Sequence, residues 1–352
     1  MAGAMSDARL LFDTPDQYLF SFEGADAILV EMDRDAYHRS IFLDQRISPK
    51  SQTAQRISLA DLYAAQSAAA PAMRPCYIFH VALCGSTLLA RALDVRDSNL
   101  VYREPHALRQ LGAVAGGAAL PPAAQKGWAQ CVDLVVATLG RRYAKSGPAI
   151  VKANVPVNFM LPALLEPAPD TPAIALYSSF ENYLLAALGD PGQRAWVGRV
   201  TQELRYGLDT FAGPTSAETL PEATARLWLA QMIAFDAMLS RFPRVLSLDS
   251  EQMFADPAAV LAATFAHFGQ AMPRDAVNAI ATGELFSRHS KHPTQQFSNA
   301  ERLARRQQRR TELAGELAAA HAWLATHPKR DLLPKALAKP LLGHDTRLLE
   351  DR

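Results

Sequence analysis

Cysteine is scarce: Cys76, Cys84 and Cys131 are the only three in 352 residues. They lie in apolar stretches without metal-ligand spacing. That argues against a disulfide scaffold and a cysteine-based metal site, and predicts reduced thiols in a cytoplasmic protein. An excess of one charge is lacking too, since 36 basic residues face 35 acidic ones for a formal net charge of +1. The chain as a whole therefore has no electrostatic signature for nucleic acid or an acidic membrane, and neither is expected as a partner. No apolar run approaches the roughly 20 residues of a membrane helix. The N-terminus is polar and acidic, without the basic and apolar regions of a signal peptide, so none is expected. Internal repeats are absent. What remains is an ordinary globular balance, 49% hydrophobic and 20% charged, enough for one large domain or two.

The most informative stretch is 76–94, CYIFHVALCGSTLLARALD. Residues 77–81 are apolar, aromatic and β-branched, which suits a buried strand. Residues 82–85 make a tight connection, and Ser86 and Thr87 open an amphipathic helix carrying Leu88, Leu89, Ala92 and Leu93. A strand, a small-residue turn and a Ser/Thr-led helix predict an anion site. The first N–H groups of the helix lack intrahelical acceptors, and the helix dipole adds partial positive charge. Gly85 has no side chain to obstruct an approaching phosphate or sulfate. This is not a Walker A motif, because the second glycine and the lysine are missing.

On either side of this stretch the pattern is of strands alternating with helices. Residues 18–22 and 27–32 read as strands, with 42–47 as a weaker third. Ser58 and Asp61 make a capping pair for a short helix, and 66–75 reads as an Ala/Pro-rich linker. Residues 1–70 are taken as an N-terminal elaboration, and 71–352 as an α/β domain with a helical C-terminal region. Further strands are expected at 99–102, 149–152, 173–177 and 245–248. Residues 112–126 read as a mobile loop, followed by a helix face of Trp128, Val132, Val135 and Leu139. Residues 190–221 look polar and turn-rich, with no clear period. A long apolar helix follows at 223–242. Asp256 and Pro257 start another, with Val260, Leu261, Phe265 and Phe268 on its buried face and Gly269 at its end. Ser298 and Glu301 predict a further helix start, with Arg302, Arg305, Arg306 and Arg309 on one face.

This alternation predicts an α/β fold with a mostly parallel central sheet flanked by helices. In such sheets a ligand sits beyond the carboxyl ends of the strands. Five polar strand ends are therefore candidates: 83–87, 103–106, 152–154, 178–179 and 249–251.

Four stretches together resemble the bacterial branch of the sulfotransferase family that uses 3′-phosphoadenosine 5′-phosphosulfate (PAPS): HVALCGSTLLARALD, YREPHAL, VLSLDSEQMFADPAAVLAATFAHFG and SKHPTQQFS. The resemblance spans about residues 76–300. It implies a three-layer, P-loop NTPase-like fold and transfer of a sulfuryl group from PAPS to a hydroxyl or amine of a small-molecule acceptor, without a metal. It places Leu83, Cys84, Gly85, Ser86, Thr87 and Leu88 around the 5′-phosphosulfate and matches Glu104 to the family's proposed general base. The chain departs from the family where a basic residue is usual, at Leu83. It also has Ser178 and Ala186 where an Arg and a Ser usually meet the 3′-phosphate. Lys152, Lys291 and the arginine face, Arg305 among it, are expected to supply that charge.

Sulfuryl transfer asks for in-line positioning, stabilisation of charge on the leaving oxygen, and a base for the acceptor's proton. His106, with an unperturbed pKa near 6.5, is the alternative base. Lys152 ends a buried strand, an unusual place for lysine, and is expected to contact phosphate or sulfate. His80 reads as a satisfied core histidine, and Asp249 and Glu251 as capping or pairing residues. A kinase-like phosphotransferase and a non-catalytic anion-binding protein are the alternative functions. Nothing in the pattern fixes the acceptor or the oligomeric state.

Overall fold

The computed structural model describes residues 2–71, 73–144, 147–215, 218–289, 292–343 and 346–350. After an N-terminal helix, Ala2–Asp13, which the sequence pattern did not announce, strands β1 (Gln17–Glu23), β2 (Asp26–Glu31) and β3 (Ala54–Ser58) form an antiparallel sheet in that order. The third strand is not at 42–47. There, Leu43 N donates to Arg103 O at 2.7 Å and Leu43 O accepts from His106 N at 3.1 Å. Those backbone groups are engaged by strand Leu100–Arg103 and the helix start at His106, and cannot join a second ladder. Helix Leu59–Ala68 starts as expected, with the Ser58 side chain accepting from Asp61 N.

The main sheet comprises β4 (Cys76–His80), β5 (Leu100–Arg103), β6 (Ala149–Lys152), β7 (Ala173–Tyr177) and β8 (Val245–Asp249). All four pairings are parallel, in the order β5-β6-β4-β7-β8. Every residue of β4, β5, β6 and β7 is buried, as expected of strands covered on both faces. The chain is thus of the α/β class expected, and the sheet is all-parallel rather than mostly so. Its β8 edge is met by the C-terminal segment, where Ser247 N donates to Lys339 O and Leu341 N to Ser247 O.

Two expected loops are helical. Residues 112–117 and 122–126 fall in helices His106–Gly117 and Pro122–Leu139, which leaves a connection of only 118–121, and Trp128 Nε1 donates across it to Leu111 O at 3.0 Å. Residues 190–221 hold helices Pro191–Glu203 and Arg205–Ala212. Asp190 caps the first by accepting from Gly192 N and Gln193 N. Val197, Val200, Leu204 and Leu208 are buried, a helical stripe thinned by the polar residues between them.

Because β4 is central, the chain leaves it to one side for β5 and β6 and to the other for β7 and β8. This reversal opens a crevice at the β4 carboxyl end, where ligands bind in open parallel sheets. It also sorts the five strand ends. Those of β5 and β6 lie on one flank of the 83–87 loop, and those of β7 and β8 on the other.

Candidate functional site

The turn from β4 into helix Ser86–Ala92 passes twice through left-handed backbone, at Leu83 (φ 66°) and at Gly85 (φ 81°). Leucine rarely adopts that conformation, and such strain tends to mark functional sites. Gly85 is required for a reason besides its φ. A Cβ there would come within 2.5 Å of Met253 Cε and 2.8 Å of Phe254 Cζ. The glycine thus admits two side chains as well as keeping the loop clear. Gly85 O accepts from Leu88 N and Leu89 N at 2.9 and 3.2 Å, closing the first turn.

A cleft of about 560 Å³ opens beside this turn. Its lining includes Leu83, Gly85, Ser86, Thr87 and Leu88 from the loop and helix start. Ser178, Asn182 and Ala186 come from the end of β7 and the helix after it, and Ser250, Glu251 and Phe254 follow β8. The far wall is helix Asn299–Glu312, which the Ser298 cap begins as the sequence suggests. It presents Arg302, Arg305, Arg306 and Arg309 to the cleft, and Arg288 joins them from strand β9 (Arg288–His289). Five arginines and three carboxylates, Asp190, Glu251 and Glu301, therefore line one space.

The four cleft arginines of that helix divide into two pairs. Arg302 donates to both oxygens of Glu251 at 2.8 Å, and Arg306 donates to the same two at 3.0 and 2.8 Å. Burial would raise the Glu251 carboxyl, but the two guanidiniums together hold it down to about 2. The guanidiniums of Arg305 and Arg309 make no hydrogen bond or ion pair among the described residues. Thr87 is 2% exposed, and its Oγ1 is buried with no hydrogen-bond partner among the described residues. A buried hydroxyl left unpaired costs free energy. Thr87 Oγ1 shares that condition with buried polar atoms elsewhere, Asn158 Oδ1 and Thr264 Oγ1 among them, and is set apart by its place at the cleft.

The other expected cofactor contacts are divided. Ser178 lines the cleft, but its Oγ is shared with Ser250 Oγ at 2.9 Å. Cys84 stands behind the loop, 1% exposed, with Sγ donating to Val81 O at 2.9 Å. Burial pushes its thiol up to about 11, which removes it as a thiolate nucleophile at neutral pH. Lys291 lies outside the described residues. Strand β10 (His292–Gln296) pairs with β9, and Gln295, Gln296 and Phe297 reach the cleft. Phe254, Asn182, Gln193, Gln295, Gln296, Phe297 and Arg288 were not singled out from sequence. Gln295, Gln296 and Phe297 fall in SKHPTQQFS and Phe254 in VLSLDSEQMFADPAAVLAATFAHFG, so the stretches offered a signal that the single residues did not.

The three expected catalytic residues do not line this cleft. They belong to the opposite flank, where Lys152 Nζ donates to Glu104 Oε1 and Arg46 approaches Glu104 Oε2 at 3.9 Å. Lys152 is wholly buried, with its Nζ 5.5 Å from the Phe42 ring centre. Glu104 is also left-handed (φ 57°), and its N–H donates to Lys152 O at 2.8 Å. It pairs with Lys152, not with its neighbour Arg103. Arg103 is 1% exposed and donates to Asp94 Oδ2 at 2.9 Å and to Ser40 O. His106 stacks on Phe20 at 5.1 Å and contacts Gln45. Burial first, and Arg109 second, lower its pKa. His80 is a core histidine as expected, with Nδ1 2.8 Å from Val81 O. Adjacent strands lie about 4.8 Å apart, so Lys152, one strand from β4, is the nearer of the pair to the loop.

No described helix is long and apolar enough to cross a membrane. No protein-family model matches the chain, and no curated protein matches it. Among solved structures, a sulfotransferase from Alicyclobacillus acidocaldarius is similar over 71% of this chain and 99% of that one, at 15% identity and a TM-score of 0.34.

Proposed function

We propose that this protein is a sulfotransferase that moves a sulfuryl group from PAPS to a hydroxyl or amine of a small-molecule acceptor. The observation that carries the reading is the shared cleft. The Gly85–Thr87 turn, with its unpartnered Thr87 hydroxyl, faces Arg305 and Arg309, whose charges are unspent. PAPS bears two separated oxyanionic groups, and the cleft offers two clusters of donors for them. The residues present fit such a group.

When bound, PAPS supplies the sulfuryl group and a phosphate leaving group. The Ser86 and Thr87 hydroxyls and the amides of residues 85–87 hold the phosphosulfate end. Arg305 and Arg309 neutralise the other anionic end, in place of the charge that Ser178 and Ala186 do not provide. Glu104 is the proposed base for the acceptor's proton, and the hydrogen bond from Lys152 orients it. This arrangement puts donor and acceptor on opposite flanks of the 83–87 loop.

Thermal shift and turnover test this directly. The desulfated product, adenosine 3′,5′-bisphosphate, at 100 times its Kd should stabilise the protein by about 2.7 kcal/mol. Incubation with PAPS and a panel of phenols and amines should yield a sulfated product. Stabilisation by ATP with Mg²⁺ and not by the bisphosphate would replace this reading with a phosphotransferase. No response to either nucleotide would leave a protein without donor chemistry.

A further inference from the structure

We infer that the Arg302–Arg306 pair is an oxyanion-binding subsite which Glu251 occupies in the unliganded protein, so that the chain's own carboxylate stands where a ligand's phosphate, sulfate or carboxylate would bind. The inference rests on the reading above only in treating the cleft as an anion site. Two guanidiniums on one carboxylate make four hydrogen bonds, the arrangement arginine forks also make with phosphate. Glu251, Arg302 and Arg306 all line the cleft, and their side chains remain 29, 16 and 20% exposed. The pair is thus reachable from solvent.

Arg302 does not depend on Glu251 alone for its position. Arg302 Nε donates to Asn299 Oδ1 at 2.8 Å, and its guanidinium lies over the Phe254 ring at 4.1 Å. These contacts hold Arg302 in place if the carboxylate swings away. Arg306 rides on the same helix, one turn on, so its backbone stays beside Arg302 while its guanidinium turns from Glu251 to the incoming anion. Glu251 sits at the first turn of the short helix after β8, and its backbone N–H is held by Asp249 Oδ1 at 3.1 Å. Its side chain can leave without moving that backbone. At the pair itself one oxyanion takes the place of another, while the Glu251 charge stays in the cleft. The ligand class is therefore an oxyanion able to bridge two guanidiniums, with Arg305 and Arg309 beside it to favour more than one negative charge.

The probe is inorganic pyrophosphate, which contains neither adenosine nor sulfur. Glu251→Gln keeps the side-chain shape and removes the competing charge, so calorimetry should show pyrophosphate binding about tenfold tighter than to the unaltered protein. Adding Arg306→Ala to Glu251→Gln should erase that gain. Equal or weaker binding by a Glu251→Gln protein with unchanged circular dichroism would make Glu251 a fastener only and overturn the inference. Crystals of the unaltered protein soaked in pyrophosphate give an independent reading. The anion should lie between Arg302 and Arg306 with Glu251 displaced, whereas Glu251 still bridging the pair would overturn it. Tighter pyrophosphate binding alongside no response to adenosine 3′,5′-bisphosphate would sink the proposed donor and leave this subsite standing.

Discussion

Lys152 and Glu104 close a hydrogen-bonded ion pair at the ends of two neighbouring strands, and the lysine has no exposed surface. β5 and β6 run parallel with Arg103 opposite Lys152. The residue after Arg103 must turn back to reach the ammonium, and the left-handed φ of Glu104 accomplishes this. A buried ammonium that loses its counter-charge is costly, about 3 kcal/mol or more. Glu104→Gln should therefore lose about that much stability in denaturant unfolding as well as turnover. Adding Lys152→Met should restore most of the stability and none of the turnover. A single variant that unfolds like the parent would show the pair to be energetically idle.

Gly85→Ala tests the turn. Left-handed backbone costs a side-chain-bearing residue about 1–2 kcal/mol, and the new methyl must push Met253 and Phe254 aside. Because Phe254 lines the cleft, we expect a lower melting temperature and weaker anion binding together. Full affinity in a destabilised variant would separate the glycine's structural role from the ligand.

Asp249 makes a pH-dependent prediction. Burial, then the nearby Glu251 charge, raise its carboxyl to about 6, against the lowering effect of the Glu251 N–H. The folded protein thus binds more protons than the unfolded chain between about pH 3.9 and 6. The sign follows: Asp249 withdraws stability as pH rises through that window, and the loss is complete above it. Asp249→Asn still accepts from Glu251 N and carries no charge. Its melting temperature should exceed that of the parent by roughly 2–4 °C at pH 8, with the gap closing by pH 4. A gap that does not change with pH would refute the assignment.

The main sheet was legible because buried parallel strands are short apolar runs ending in polar residues. Residues 149–152 and 173–177 were placed to the residue, and the 83–87 turn and the arginine face were found by spacing alone. What the sequence could not show is which strand ends share a side. Strand order decides that, and it separates Glu104 and Lys152 from the cleft that Thr87 and Arg305 line. Glu251 looked like a pairing residue, and it is one. That its partners would be two of the four stripe arginines depends on a contact across 51 and 55 residues of chain. The helices at 191–212 were hidden because their buried positions are diluted by Gly, Arg and Gln.

Thr87 yields the sharpest prediction, because its two effects have opposite signs. Valine has nearly the same shape and is β-branched, so Thr87→Val fits the space and the helix. It removes a buried hydroxyl that has no partner among the described residues, so the unliganded protein should be as stable as the parent or more so, by up to about 1 kcal/mol. The same change deletes a hydrogen-bond donor from the cleft wall. Affinity for adenosine 3′,5′-bisphosphate should then fall about tenfold, the worth of one hydrogen bond to a charged group. Unfolding and calorimetry on one preparation measure both. A residue that only caps or packs would lose stability and leave affinity alone. Stability retained with affinity lost is the signature of a side chain kept for its ligand.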